Sequence, residues 1–130
     1  MFRPVAELAK ASFKPYRIHH VGDVVKRKLT KNFVHRDSGF SVDLGPKRSE
    51  DLASQVKVAK AFVKKHYSEI KQLKGADDMR LDFGYCLRLD KKGEPFWIQC
   101  DLLPPDFLRM CGDLNIGIEL SLYYGKTAKD

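Results

Sequence analysis

From Leu52 to Leu73 the apolar residues recur at the spacing of one helix face. They are Leu52, Val56, Ala59, Val63, Ile70 and Leu73, with Phe62 and Tyr67 beside them. The steps are mostly three, four or seven residues, the pattern of an amphipathic helix that covers a core. Start and stop signals bracket the run. Ser49 is an N-cap residue type, and Glu50 and Asp51 follow it at the positive end of the helix dipole. Gly75 supplies the C-cap, with Lys71 and Lys74 in the last turn. A helix over residues 50–74, at ~1.5 Å per residue, is roughly 37 Å long and would span a whole sheet.

Strand patterns follow. Met79, Leu81, Phe83, Tyr85, Leu87 and Leu89 alternate with Arg80, Asp82, Gly84, Cys86, Arg88 and Asp90. The glycine-bearing turn from Asp90 to Glu94 then predicts a hairpin. Its partner strand would run from Pro95 to Leu102, with Phe96, Ile98, Cys100 and Leu102 on one face and Trp97, Gln99 and Asp101 on the other. Pro104, Pro105 and Asp106 open a short helix with Phe107, Leu108, Cys111 and Leu114 inward, ended by Gly112. A last strand sets Ile116, Ile118, Leu120, Leu122 and Tyr124 against Gly117, Glu119, Ser121 and Tyr123. Earlier in the chain, Tyr16–His20 and Gly39–Leu44 read as strands, and Asp23 caps a short helix carrying Val25, Leu29 and Phe33. Residues 5–13 fit either strand or helix, and 125–130 read as a loose tail. Period-two strands with one apolar face predict a mostly antiparallel sheet packed on the long helix. The fold expected is a single α+β domain over residues 1–130, a two-layer sandwich with additional short helices.

Composition narrows the class. At 130 residues with 43% hydrophobic and 32% charged side chains, the chain is neither disordered nor membrane-spanning. The start lacks the uninterrupted apolar stretch of a secretory signal. Cys86, Cys100 and Cys111 are odd in number and lack C-x-x-C spacing, which argues against a disulfide framework and a structural zinc site. Buried free thiols in a reducing cytoplasm are expected. Residues 1–75 hold 17 basic and 7 acidic side chains, a balance of +10; the remaining 7 basic and 10 acidic give −3. Such a basic half is either a solubilising surface or a contact for nucleic acid, anionic lipid or an acidic protein.

No catalytic constellation emerges. Gly-rich phosphate loops and Gly-x-Ser-x-Gly are absent from the sequence. His19 and His20, with His35 or Asp37, are the candidate metal ligands. Adjacent residues on a strand face opposite ways, so the His19–His20 pair is poorly placed to chelate one ion. Neither a metal nor a cofactor is expected. Among Asp77, Asp78, Asp82, Asp101 and Glu119, cross-strand ion pairs with Arg80 and Arg88 are a simpler account than acid–base catalysis. Cys86, on the polar strand face, is the one thiol worth testing as a nucleophile.

Two surfaces remain. Trp97, Tyr123, Arg80, Arg88 and Gln99 fall on the polar sheet face, and Trp, Tyr and Arg dominate interface energies. Either that face meets a partner, or residues 1–35 cover it and Trp97 is core. The second surface is basic: Lys57, Lys60, Lys64 and Lys71 at one helix face, with Lys26, Arg27 and Lys28 upstream. It suits a phosphate backbone, although a solvent-facing helix is commonly lysine-rich.

Three stretches carry a family resemblance. They are Ser38-Gly39-Phe40-Ser41-Val42-Asp43-Leu44, then Phe96-Trp97-Ile98-Gln99 leading into Leu103-Pro104-Pro105-Asp106-Phe107-Leu108, then Leu114-Asn115-Ile116-Gly117-Ile118-Glu119-Leu120-Ser121-Leu122-Tyr123. Over residues 38–124 the chain resembles a bacterial family of small uncharacterised domains, some proposed as immunity proteins of polymorphic toxins. The resemblance implies protein binding and supplies no catalytic residues. The expectation is a non-enzymatic macromolecule-binding protein whose partner is another protein, immunity-like in mode. The alternatives are a nucleic-acid-binding accessory protein and self-association through an open strand edge.

Overall fold

The computed structural model describes residues 13–28, 30–45, 51–73 and 76–123. The readings placed on residues 5–12, Leu29, Ser49, Glu50, Lys74, Gly75, Tyr124 and the tail lie outside them. The chain is α+β and forms two compact units, Met1–Asp43 with His66–Asp77, and Leu44–Lys65 with Asp78–Asp130.

The first unit contains a bent β-ribbon. Strands β1 (Arg17–His19), β2 (Val24–Val25), β3 (Phe33–Val34) and β4 (Gly39–Ser41) pair as two short antiparallel ladders, β1 with β4 and β2 with β3. Both expected strands in this region form, each shorter than its alternation. The expected helix after Asp23 does not. The Asp23 carboxylate instead accepts the His20 backbone N–H at 2.7 Å, and Asp23 O accepts the N–H of His35 at 2.9 Å. The β-branched pair Val24-Val25 favours the extended backbone that follows.

The long apolar stripe splits at His66. Helix α1 is Leu52–Lys65 and helix α2 is Tyr67–Lys71. Asp51 caps α1, its Oδ1 accepting the Ser54 N–H at 2.8 Å; that bond, then the Ser54 hydroxyl, holds the Asp51 carboxyl below its ordinary range. His66 leaves helical backbone at φ −105°, ψ 18° and buries its ring. There it lies 3.3 Å from Glu69 Oε1 and edge-on to Phe13 at 5.3 Å between centroids. A buried imidazole with an acceptor one turn ahead outweighs the continuity of the stripe. Lys64 and Lys65 sit in the last turn of α1, where cations are favoured.

The second unit holds the larger core. Strands β5 (Met79–Cys86) and β6 (Ile116–Tyr123) pair in parallel over eight residues, from Met79↔Ile116 to Cys86↔Tyr123. Helix α3 (Pro105–Asp113) lies in the crossover that parallel strands require. The longest pairing is thus parallel, not part of a mostly antiparallel sheet. The expected hairpin stops at its turn. Gly93 (φ 82°) donates to Asp90 O at 3.0 Å and Leu89 bridges Pro95, but no strand extends over 95–102. Pro95 has no N–H to give a ladder. The Arg88 N–H is taken by the Gln99 side chain, at 2.8 Å to Oε1.

Leu52, Val56 and Ala59 of α1, Phe83 of β5, and Phe107 and Cys111 of α3 form one buried cluster. Leu81, Tyr85, Ile116 and Ile118 pack against it. Helix α3 follows its sequence signals in the proline of its first turn, Asp106 at the N-terminus, and Phe107, Cys111 and Leu114 buried at four- and three-residue steps; Leu108, expected inward, is exposed because it falls off that stripe. It ends past Gly112, with Asn115 in the left-handed region at φ 55°. Asparagine tolerates that region better than other side chains. Among the described residues, no helix is long and apolar enough to cross a membrane.

Candidate functional site

The outward face of β5 and β6 is a row of polar cross-strand contacts. Arg80 donates to Glu119 Oε2 at 3.1 Å and also pairs with Asp78. Ser121 Oγ donates to Asp82 Oδ1 at 2.8 Å. The Tyr123 ring lies over Gly84, where an added Cβ would meet Cε2 at 3.1 Å. Arg80 holds the Asp78 carboxyl below its ordinary range, chiefly through the hydrogen bond between them. These carboxylates are ion-paired or hydrogen-bonded, as the cross-strand reading expects.

The five residues expected to cluster on this face do not all meet. Arg80 is the second residue of β5, while Arg88 follows its end, roughly 26 Å further along an extended chain. Arg88 and Gln99 do meet. Besides the Arg88 N–H bond to Gln99, the Arg88 guanidinium donates to Cys100 O at 3.1 Å and pairs with Asp101 at 3.4 Å. Gln99 Nε2 donates to Asp101 Oδ2 at 3.2 Å. Tyr123 reaches the same end of the strands, since Leu87 N–H donates to Tyr123 O at 3.0 Å. Arg88 thus ties the connection 99–101 to the end of β5.

Trp97 lies just before those residues, in the connection between Pro95 and Pro104, and is fully exposed, at 103%. Phe96, Ile98 and Leu102 around it are exposed at 55%, 76% and 81%. Strict alternation placed Phe96, Ile98, Cys100 and Leu102 on a buried face; all four are exposed instead. The available signal was the pair of prolines bounding the segment, Pro95 and Pro104, which disfavour a central strand. Leu120 and Leu122 of β6 and Tyr123 are also exposed. Of the three thiols expected to be buried, Cys111 alone is, and burial pushes its thiol up; Cys86 is half-buried and Cys100 exposed.

The lysines do not form one continuous helical face. Lys57, Lys60 and Lys64 belong to α1, whereas Lys71 belongs to α2, where its Nζ lies 5.9 Å from the Tyr67 ring. Lys60 pairs with Asp106 at the start of α3. That bond, then the Phe107 N–H, holds the Asp106 carboxyl below its ordinary range. Lys26, Arg27 and Lys28 are exposed between β2 and β3, with Arg27 over the Phe33 ring at 4.6 Å.

The histidines divide in an unexpected way. His20 turns to Asp23, whose Oδ2 is 3.8 Å from its Nδ1. His19 meets both His35 and Asp37: its ring stacks on His35 at 4.1 Å and 20°, and its Nε2 lies 3.2 Å from Asp37 Oδ1.

No family model, no curated protein and no solved structure matches this chain.

Proposed function

We propose that this chain is a non-enzymatic protein-binding domain that docks its partner through residues 96–102 and the adjoining end of β6. One observation carries the reading: Trp97 exposes its entire side chain, flanked by exposed Phe96 and Ile98, with Leu102 exposed further along the same connection. A large apolar group left in water forgoes ~1.5–3 kcal/mol that burial would return. A contiguous run of such groups marks an interaction surface. The Arg88–Gln99–Asp101 bonds anchor this segment before any partner arrives. That lowers the ordering cost of binding.

The mechanism is occlusion by surface complementarity, in the manner of an immunity protein covering a toxin. The sequence pattern of residues 38–124, read as a resemblance to such domains, motivates that mode. A second copy is the competing protein partner, because a two-stranded sheet leaves strand edges unpaired. The free thiols Cys86, Cys100 and Cys111 accord with a reducing cytoplasm. A nucleic-acid role has less support, because the Lys60 charge is engaged by Asp106 and Lys71 lies on a different helix.

The test is capture on the immobilised 130-residue chain, followed by titration with the purified captured protein. A folded Trp97→Ala chain should bind at least ~10-fold more weakly, the scale of an interface hot spot. Full affinity in that variant removes the site. Labelled oligonucleotides titrated at low and physiological salt form the second arm. Tight binding that collapses with salt would replace protein docking with the basic-surface alternative.

A further inference from the structure

We propose that His19, His35 and Asp37 form a binding site for a divalent transition-metal ion of the zinc class. Each offers one ligand atom, and the three atoms lie within 4.8 Å of one another. Two imidazoles and a carboxylate are a donor set suited to Zn²⁺ and its neighbours, and a poor one for Mg²⁺ or Ca²⁺. Ligands at about 2.0–2.1 Å in tetrahedral geometry stand about 3.3–3.4 Å apart. The 3.2 Å between His19 Nε2 and Asp37 Oδ1 already matches that edge. The His19 and His35 rings stack nearly parallel at 4.1 Å, so one ring must turn about its χ2 to aim its lone pair at a shared ion, and Asp37, 84% exposed, is free to follow.

The ribbon is shaped around this trio. The three residues sit where the chain bends between the two ladders, His19 at the end of β1, and His35 and Asp37 between β3 and β4. His35 and Asp37 flank Arg36 where the chain bends between β3 and β4, and the bend brings their ligand atoms together. His19 pairs across the ladder with Gly39, and a Cβ there would meet the His19 ring at 2.9 Å. A glycine at this position leaves the imidazole room to lie across toward His35. The Phe33 ring packs edge-on to His35 at 5.3 Å and 70°, fixing its other side. The backbone there is held as well: His35 O accepts from Gly22 at 2.8 Å, and Ser38 Oγ accepts from Val21 N–H at 2.9 Å. A hydrogen bond from His19 to Asp37 explains one contact of the trio. Stacking on His19 at 4.1 Å brings a third donor atom, on His35, into the same small volume.

An ion bound here would join residue 19 to residues 35 and 37, closing the bend between two ladders of three and two paired positions. Three protein ligands leave a fourth position to water. The binding free energy then becomes stability of the ribbon, because the unfolded chain offers no preformed site.

The experiment titrates Zn²⁺, in competition with a chromogenic chelator, and Co²⁺ into the whole chain with its thiols kept reduced. Expected are one equivalent of saturable binding and a Co²⁺ spectrum of nitrogen and oxygen ligation without thiolate charge-transfer bands. Asp37→Asn and His35→Ala should weaken binding by more than ~10-fold, since even an outer-sphere partner is worth about 10–100-fold. Asp37→Asn changes an exposed group, so circular dichroism should be unaltered. His20→Ala should bind as the parent does. Absence of saturable binding, thiolate bands from Cys86, Cys100 or Cys111, unchanged affinity in Asp37→Asn, or equal loss in His20→Ala would each overturn the site.

Discussion

Leu44–Lys65 with Asp78–Asp130 buries Leu52, Val56, Ala59, Phe83, Phe107 and Cys111 against one another. The ribbon of the other unit has nothing comparable among its described residues. Val24, Phe33 and Val34 of its inner ladder are exposed, and it is held by short ladders, side-chain caps and stacked rings. In the first case, area removed from water does the holding, and single side chains are costly to lose. In the second, stability is spread over contacts worth ~0.5–1.5 kcal/mol each. The contrast assigns roles. A packed core can carry an exposed, anchored connection such as 96–102, whereas a lightly held ribbon is where an ion would add most.

Thiol labelling sets the widest contrast. Cys100 should react with a soluble disulfide reagent as readily as a peptide thiol, and Cys86 more slowly. Cys111 is buried beside Phe107 and should react only through unfolding, ~1,000-fold or more slower for a domain stable by ~5 kcal/mol. Comparable rates for Cys100 and Cys111 would break the distinction between connection and core.

Phe107→Ala comes next. The side chain is 0% exposed and meets Phe83 edge-on at 6.1 Å, so its removal should cost ~3–5 kcal/mol in urea unfolding. Phe33→Ala, in the ribbon, should cost no more than about 1.5 kcal/mol, the scale of an aromatic pair. Equal costs would mean that the ribbon has a core of its own.

A smaller effect is set by pH. Lys60 and the Phe107 N–H hold the Asp106 carboxyl low, so the pair stabilises the folded chain above the ordinary carboxylate range. That contribution fades as pH falls through the depressed value. The Tm advantage of the parent over Asp106→Asn should therefore be modest at neutral pH and shrink below about pH 4. An advantage that grows on acidification would reverse the sign.

Much of this was legible in sequence. Proline, acid and apolar spacing foretold α3, and alternation foretold β5, β6 and short strands near residues 17–19 and 39–41. What alternation does not encode is partner or direction. The helix between 105 and 113 was the cue that β5 and β6 run parallel, and the glycine turn at Gly93 competed with it. The break at His66 depends on Phe13, 53 residues away, and on a buried imidazole that periodicity counts as merely polar. Of the five residues expected to cluster on the sheet face, Arg88 and Gln99 meet. The exposure of Phe96, Ile98 and Leu102 is not legible in their spacing, which imitates a buried strand face. The sequence offers His19 and His20, with His35 or Asp37, as metal ligands, and the opposite facing of neighbours on a strand counts against the His19–His20 pair. His19 needs only His35 and Asp37, brought in by the bend.

The most direct measurement uses Trp97 itself, the one tryptophan of the chain. Its fluorescence reports a single site without labelling. Acrylamide quenching of the native protein should match that of the urea-unfolded chain, with emission at the water-exposed position in both. A blue-shifted native emission with weak quenching, at protein concentrations where the chain is monomeric, would mean that Trp97 is covered. The proposed docking surface would then be part of a core.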